Sequence, residues 1–541
     1  MQKKLTLLVF FWALVVTLSP AQTLQQSHLP LVVINTQGRT IQDGPKVMAR
    51  MGIVDHGSGQ INRPGDPFNA YDGWIGIEYR GSSSSMYPKR AYSIELRHPD
   101  STDRTESLLG MPEESDWVMI APLNDKTLMR DALACLFARA LGSTYAPRVR
   151  HCEVMLNGTY QGVYLFMEKI KRNKNRVAIT KLDPDDTEGD ELTGGYILRI
   201  DKYGPPPGQI GGHFQSQYTN IPGGWQRTWF QYHYPEEEDL QPAQKSYIRQ
   251  YIRSFEDMMY GPSFAQKYAD WIDVDSWTDY LLVQELTKNT DAYRLSTYFY
   301  KDRDSKGGKL VMGPVWDFNI AFGMANYCAG EQHVGWIKDF NLVCPSDGWV
   351  VPFWWDKLWQ DAAFRRHLVA RWRTVRSTPV WSDKRLFSMI DSLTNLLREP
   401  QQRNFQRWPV MGIYVWPNAY IGPDYDAEVT YLRNWLERRL AWMDERFFEM
   451  IIALDPPPPF RFFPTPARDH IFIENDYIPW REQTFDITLY NMQGSLLLQQ
   501  RFAGIGTVRL DLPASARGQG VCYYKIRDQK GREWTGKMMI L

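Results

Sequence analysis

The chain has 541 residues, its 62 Lys and Arg balance 62 Asp and Glu, and 14% of it is aromatic. That length suits one large domain and a smaller one, and zero net charge removes the long-range attraction that binders of nucleic acid or anionic membrane rely on. The 21 Trp are read as packing in a large protein rather than as platforms for sugar rings.

At the N-terminus Lys3 and Lys4 precede an apolar run over 5–18, and Ser19, Pro20 and Ala21 supply small residues for cleavage. The run is too short for a good membrane span. A signal peptide over 1–21 is therefore expected. The mature protein is expected to be secreted or at the outer cell surface, with no membrane span after cleavage and no nucleic-acid partner.

From 28 to 235 the pattern is mostly strands and turns. Residues 74–80 alternate as a strand, 81–85 break it with Gly and four Ser, and alternation resumes over 89–96 with Lys89 at the start. A small-residue loop exposes backbone N–H groups, and a solvated Lys beside it can meet phosphate oxygens. A polar hairpin would look the same. Residues 125–141 have helical spacing, with Asp125 or Thr127 near the start and Arg130 on a polar edge. Residues 152–156, the turn Asn157-Gly158 and residues 162–167 read as a β-hairpin that runs on into Glu168, Lys169 and Ile170.

A helix over 275–286 ends in a polar loop, 287–294, that carries Asp291. A β-rich run over 297–301, a turn over 302–308 and a second run over 310–315 follow, leading into GPVWDFNIAFG at 313–323. Asp317 and Asn319 stand there among apolar residues. A buried carboxylate without a partner is costly, so it is paired, neutralised or bound to a metal. Of the five cysteines, Cys328 and Cys344 flank one loop-rich stretch and can pair in an oxidising compartment, whereas Cys135 and Cys152 fit buried positions. No cysteine spacing points to zinc.

A helical, Trp- and Arg-rich region reaches a helix over 428–452, and four prolines at 456–459 then make a stiff spacer. Beyond it alternation returns over 485–490, 496–500, 508–512, 521–527 and 537–541, the signature of a small β-sandwich. The expected organisation is a signal peptide over 1–21, a large domain over 28–455, a proline-rich linker over 456–465 and a β-sandwich over 466–541.

Protein kinases share the order found in the large domain: a loop and Lys, a helix, a hairpin, then a catalytic Asp and a metal-binding Asp joined by a second hairpin. Ser296 also lies five residues after Asp291, where kinases place an oxygen-bearing metal ligand. The stretches RGSSSSMYPKRAYSIEL, LLGMPEESDWVMIAPLNDKTLMRDALA, LNGTYQGVYLFMEKIKRNKNRV, GGYILRIDK, QELTKNTDAYRLSTYFYKD and GPVWDFNIAFG resemble the CotH kinase family over residues 75–323. The resemblance implies an α+β fold, with an atypical protein-kinase-like domain, a helical C-terminal part and the small all-β sandwich. It also implies transfer of the ATP γ-phosphate to Ser or Thr of a protein substrate, with magnesium.

On this resemblance Asp291 and Lys89 are the candidate catalytic residues. Arg80, Ser83, Ser84, Lys89, Met167, Glu168 and Ile170 are the candidates for nucleotide binding. Asp317, Ser296 and Asn319 are the candidate magnesium ligands. Asn319 stands where relatives carry a second acidic residue, and the helix over 127–141 has no Glu to pair with Lys89. Glu168 and Glu153 are the alternatives for that partner. The other functional readings are an inactive pseudokinase or a surface adhesive protein; paired-acid glycoside hydrolysis has no motif behind it. The tail, on ITLYNMQGSLLLQ, GVCYYKIRDQKG and the terminal GKMMIL, is similar to the C-terminal sorting domains of type IX secretion substrates in Bacteroidetes. That likeness implies the type IX machinery as a partner.

Overall fold

A computed structural model describes residues 24–202, 213–454, 460–475, 484–503, 506–529, 531 and 533–541. The expected signal peptide and the prolines at 456–459 lie outside them. The chain divides into two compact units, one ending at Glu445 and one starting at Arg446.

Seven strands open the first unit: β1 (Leu31–Asn35), β2 (Val47–Val54), β3 (Tyr71–Arg80), β4 (Ala91–Arg97), β5 (Asp116–Ile120), β6 (Val149–Leu156) and β7 (Thr159–Glu168). They close into a barrel in the order β1-β2-β3-β4-β5-β7-β6. Neighbours are antiparallel except at the seam, where β1 runs parallel to β6 with Val32 opposite Val154. Alternation along the strands sends Val32, Ile34, Ile75, Ile77, Ile94 and Phe166 into one apolar core. Closure leaves no edge strand unpaired. Asn157 (φ +50°) and Gly158 (φ +76°) form the β6–β7 turn, as the Asn-Gly pair predicts. The Asn157 side-chain Oδ1 accepts from the Thr36 amide at 2.9 Å, so the same turn pins the end of β1.

The helix predicted from residue 125 spans Arg130–Leu141. Asp125 instead organises the turn before it: its carboxylate accepts from the amides of Thr127 (3.1 Å) and Arg130 (2.8 Å) and from the Arg130 guanidinium (2.5 Å). Arg130 therefore lies buried on structural partners, not on a solvated face.

A second sheet contains β8 (Tyr196–Ile200), β9 (His213–Gln215), β10 (Trp229–Tyr234), β11 (Thr297–Lys301) and β12 (Leu310–Met312), in the antiparallel order β12-β11-β8-β10-β9. The helix Val274–Thr287, capped by Asp273 through the Ser276 amide at 2.8 Å, leads into the loop before β11. Much of the tryptophan sits in the core here: Trp277 and Trp355 rings are 5.0 Å apart, and Tyr293 lies 4.6 Å from Trp355. The helices Ala362–Ser377 and Asp383–Leu397 and the first part of Tyr425–Leu454 complete this unit.

After the end of the long helix, the second unit is a β-sandwich. Strands β13 (Arg461–Phe463), β14 (His470–Asn475) and β17 (Gly506–Asp511) form one sheet. The other has the order β16-β15-β18-β19, from β15 (Thr484–Tyr490), β16 (Leu496–Ala503), β18 (Gly520–Asp528) and β19 (Glu533–Ile540). Phe460, Ile471, Phe485, Ile487, Leu510 and Ile526 share its core. The fold starts earlier than the proline pattern sets it, because Phe460 and β13 already belong to this core and sheet; Pro464 and Pro466 follow β13 rather than precede the domain.

Among the described residues, the barrel core and the sandwich core have no residue in common. A chain lacking 460–541 should keep the melting transition of the large unit within about 3 °C of its value in the full chain, by scanning calorimetry. Loss of that cooperative transition on truncation would contradict independent folding.

Candidate active site

Asp317 follows β12 by a short extended segment. Its φ of +66° is in the left-handed region, which Asp tolerates better than most residues but still at a cost. Its neighbours hold it there. The Phe318 amide donates to Asp131 Oδ1 at 2.6 Å, the Asn289 amide group donates to the Asp317 carbonyl at 3.1 Å, and the Phe322 amide donates to the Thr287 carbonyl at 2.7 Å. Arg130 Nε adds a bond to the Ala321 carbonyl at 3.1 Å. The backbone is thereby fixed on both sides of the carboxylate.

The loop with Asp291 meets it from the other side. Lys288 ends the preceding helix at φ +44°, and Tyr293 and Ser296 also have positive φ, at +70° and +46°. Ser296 Oγ donates to Asp317 Oδ2 at 3.2 Å, so the five-residue spacing from Asp291 does bring the hydroxyl to the second carboxylate. Asp291 is held by Arg294, whose Nη2 donates to its Oδ1 at 3.0 Å.

Both carboxylates line one cavity of about 550 Å³, together with Asp201 at the end of β8. Burial pushes Asp317 up to about 6, and the charges of Asp291 and Asp201 push the same way; the Ser296 bond and Arg80 oppose them. Burial also raises Asp291, against the pull of Arg294 and Lys202. Asp131 is raised to about 8 by burial and by Asp317 opposite it, so it is largely neutral at pH 7 and adds little repulsion. Asp201 and Asp291 have arginine partners in this cavity, whereas no salt bridge joins Asp317 to a cation among the described residues.

Two cations face this cavity without an ion pair of their own among the described residues. Arg80 lies over the Trp316 ring, 5.4 Å from its centroid, and burial holds its guanidinium below the ordinary value while Asp317 supports it. Lys202 sits 5.8 Å from the Trp349 ring and acts on Asp291. Arg199 is less free, 3.4 Å from Asp201 and bonded to Gln231 Oε1 at 2.9 Å.

Among the candidates, Arg80, Ser83, Ser84, Lys89, Met167, Asp291, Ser296, Asp317 and Asn319 line this cavity. Ser83 and Ser84 lie on the turn after β3, which Gly81 permits: its φ is +115°, and a Cβ there would meet Ser84 Oγ at 2.1 Å. Glu168 and Ile170 do not line it. Glu168 accepts from the Arg148 amide (2.8 Å), Arg148 Nη1 (2.9 Å) and Tyr145 (2.9 Å), and the Ile170 carbonyl is bonded to His233 Nε2 at 2.9 Å.

The expectation of a solvated Lys89 does not hold. Lys89 is 1% exposed, and its ammonium donates to the Val163 carbonyl (2.6 Å), Asn404 Oδ1 (2.9 Å) and the Pro122 carbonyl (3.4 Å). Neither glutamate considered as its partner pairs with it: Glu153 is bound by Arg403 at 2.6 Å, and Glu168 by Arg148. The reason is long-range. The helix Pro400–Arg407 packs on β7 and presents Asn404 where a carboxylate was expected.

The donor set suits a hard cation. Among the described residues no three His, Cys, Asp or Glu side chains converge as metal ligands do. Asp317, the Ser296 hydroxyl and the Asn319 amide are oxygen donors of the kind magnesium shares with water and phosphate. An under-neutralised Asp317 is what such a site requires. Sequence reading missed Asp131, Asp201 and Lys202. The strand ending in RIDK was in view, and an Asp-Lys pair just past a buried strand was the available signal for two of them.

The family model described as CotH kinase protein matches residues 77–443, well over half of the chain. The model described as secretion system C-terminal sorting domain matches residues 461–541. No curated protein matches the chain. No helix among the described residues is long and apolar enough to cross a membrane.

Burial moves Lys89 from the ordinary lysine value of 10.5 down to about 7. Between those values the unfolded chain binds a proton that the folded chain lacks. The cost is therefore full below pH 7 and fades as pH rises toward 10. Lys89→Ala, which leaves the buried acceptors bare, should cost about 2–4 kcal/mol. For Lys89→Met, stability relative to the parent should be most favourable at pH 6 and fall by on the order of 2–4 kcal/mol by pH 10, in urea melts. A difference independent of pH would show that the three acceptors keep the ammonium charged throughout.

Proposed function

The chain belongs to the CotH kinase family, and we propose that it is an exported kinase that transfers the ATP γ-phosphate to Ser or Thr hydroxyls of a protein substrate. The observation that carries this reading is the placement of Asp291 and Asp317 in one cavity, with Asp317 short of positive charge. The sorting tail supports export to the cell surface or beyond through type IX secretion.

The residues divide the work as follows. Arg80, backed by Trp316, faces the phosphates, and Ser83 and Ser84 cover them from the turn after β3. Asp317, Ser296 Oγ and Asn319 would hold magnesium, which when bound offsets phosphate charge. Asp291 orients the acceptor hydroxyl and takes its proton as that oxygen bonds to the γ-phosphorus. The bond from γ-phosphorus to the bridging oxygen breaks, and ADP leaves with the electron pair. Lys202, near Asp291, is placed to meet charge on the group in transfer. Lys89 supports the walls of the cavity rather than the phosphates.

Asp317→Asn should abolish magnesium-dependent ATP binding in calorimetric titrations, and should raise ligand-free stability by about 1 kcal/mol because a repelled carboxylate is removed. Asp291→Asn should keep nucleotide affinity within about threefold of the parent and lose phosphotransfer by at least about a thousandfold. Arg80→Ala should weaken ATP binding about tenfold or more. Binding by the parent without transfer to any protein or to itself would favour the pseudokinase reading. Equal binding by the parent and Asp317→Asn would remove the kinase reading altogether.

A further inference from the structure

The disulfide between Cys328 and Cys344 (Cα–Cα 5.7 Å) closes a loop in a segment that docks along the whole length of the Asp291 loop. Four contacts join them. Glu285, at the end of the preceding helix, accepts from the amides of Ile337 (2.7 Å) and Lys338 (2.9 Å). The Lys288 ammonium donates to the carbonyls of Ala329 (2.8 Å), Gln332 (3.0 Å) and Val334 (2.7 Å), which converge on it only if this loop keeps its shape. Thr290 Oγ1 bonds the Tyr327 hydroxyl at 3.3 Å.

The fourth contact reaches the chemistry. Arg294 is 3% exposed and lies 4.0 Å from the Phe340 ring centroid. Its Nη2 holds Asp291, and its Nη1 donates to the Trp349 carbonyl at 3.0 Å and lies 3.5 Å from Asp347. Phe340 lies inside the disulfide-closed loop, and Asp347 and Trp349 follow Cys344 closely. Among the described residues, no hydrogen bond or ion pair joins Arg80, Ser83 or Ser84 to this segment, and Arg80 instead lies over Trp316.

We propose that the segment closed by Cys328 and Cys344 is the positioning element of the Asp291 loop, acting through Arg294, so that the site becomes competent for transfer only when the two thiols are oxidised. Without the bond, the intervening residues regain the freedom of an open loop, and the three carbonyls around Lys288 and the platform under Arg294 disperse together. Closing it removes two protons and two electrons from the thiols. Both pass by thiol–disulfide exchange to the disulfide of a thiol-oxidising protein, which is left as a dithiol. Both cysteines are half-buried, within reach of such a partner. A chain bearing a sorting tail would thus remain idle until it meets an oxidising compartment.

The role of Asp291 rests on the kinase reading above, whereas the mobility of its loop does not, so the test reads both. Full-length parent, Cys328→Ser/Cys344→Ser and parent reduced with a phosphine are compared by hydrogen exchange, magnesium–ATP calorimetry and phosphotransfer. Opening the bond should speed amide exchange over 288–296 and 328–349 by about tenfold or more, leaving the barrel strands unchanged. Magnesium–ATP affinity should stay within about threefold while kcat falls at least about tenfold, as it also should in Arg294→Gln, with partial recovery in Arg294→Lys. Reoxidation of the reduced parent should restore both readouts. If the serine variant fails to fold, the reduced parent decides. Unchanged exchange over 288–296, exchange that rises equally in the barrel, or raised loop exchange with full kcat would each overturn the proposal. Absence of transfer in every form would count against the kinase reading, and the exchange data would still decide the clamp.

Discussion

Three carboxylates, Asp201, Asp291 and Asp317, share one cavity, and of these Asp317 has no salt bridge among the described residues, whereas Asp201 and Asp291 have arginine partners. Such an arrangement persists only because the surrounding structure over-determines it. Asp317 keeps a left-handed backbone, held from Asp131, Asn289 and Thr287, and Asp131 gives up its own charge so that the crowding does not grow. A ligand that brings cations and phosphates together relieves this crowding. The geometry is prepared for charge that arrives from outside.

The rigid elements explain how the site can carry that stress. Arg80 closes β3 of a sealed barrel, Asp201 and Lys202 follow β8, and Asp317 follows the β11–β12 hairpin paired to β8. Each functional group therefore sits just past a strand whose register is fixed by a buried face. Loops supply the remainder, and those loops are tied down by buried ion pairs such as Glu285 with Arg439, both fully enclosed. Stability is invested in the scaffold so that the few residues in the cavity remain poorly satisfied.

Local pattern made much of this legible. The Asn-Gly hairpin, the helix before Asp291, the strand pair leading to Asp317 and the strands of the tail all follow from alternation, caps and turn residues. The α+β character was readable for the same reason. What local pattern could not supply were contacts between distant residues. Barrel closure depends on a parallel pairing of β1 with β6, which neither strand announces. Lys89 looked solvated because its acceptor Asn404 lies 315 residues away. Glu168 looked available because its partner Arg148 sits on the approach to a neighbouring strand. Asp201 was overlooked because a single Asp after an apolar strand resembles an ordinary strand end.

The account stands on Asp317 as the point where metal and phosphate meet. The most direct measurement is anomalous diffraction from crystals of the full chain grown with manganese and a non-hydrolysable ATP analogue. The account predicts a manganese peak at about 2.2 Å from an Asp317 carboxylate oxygen, with the analogue's phosphates against Arg80. An empty cavity in crystals that contain both ligands, or manganese bound away from Asp317, would contradict it.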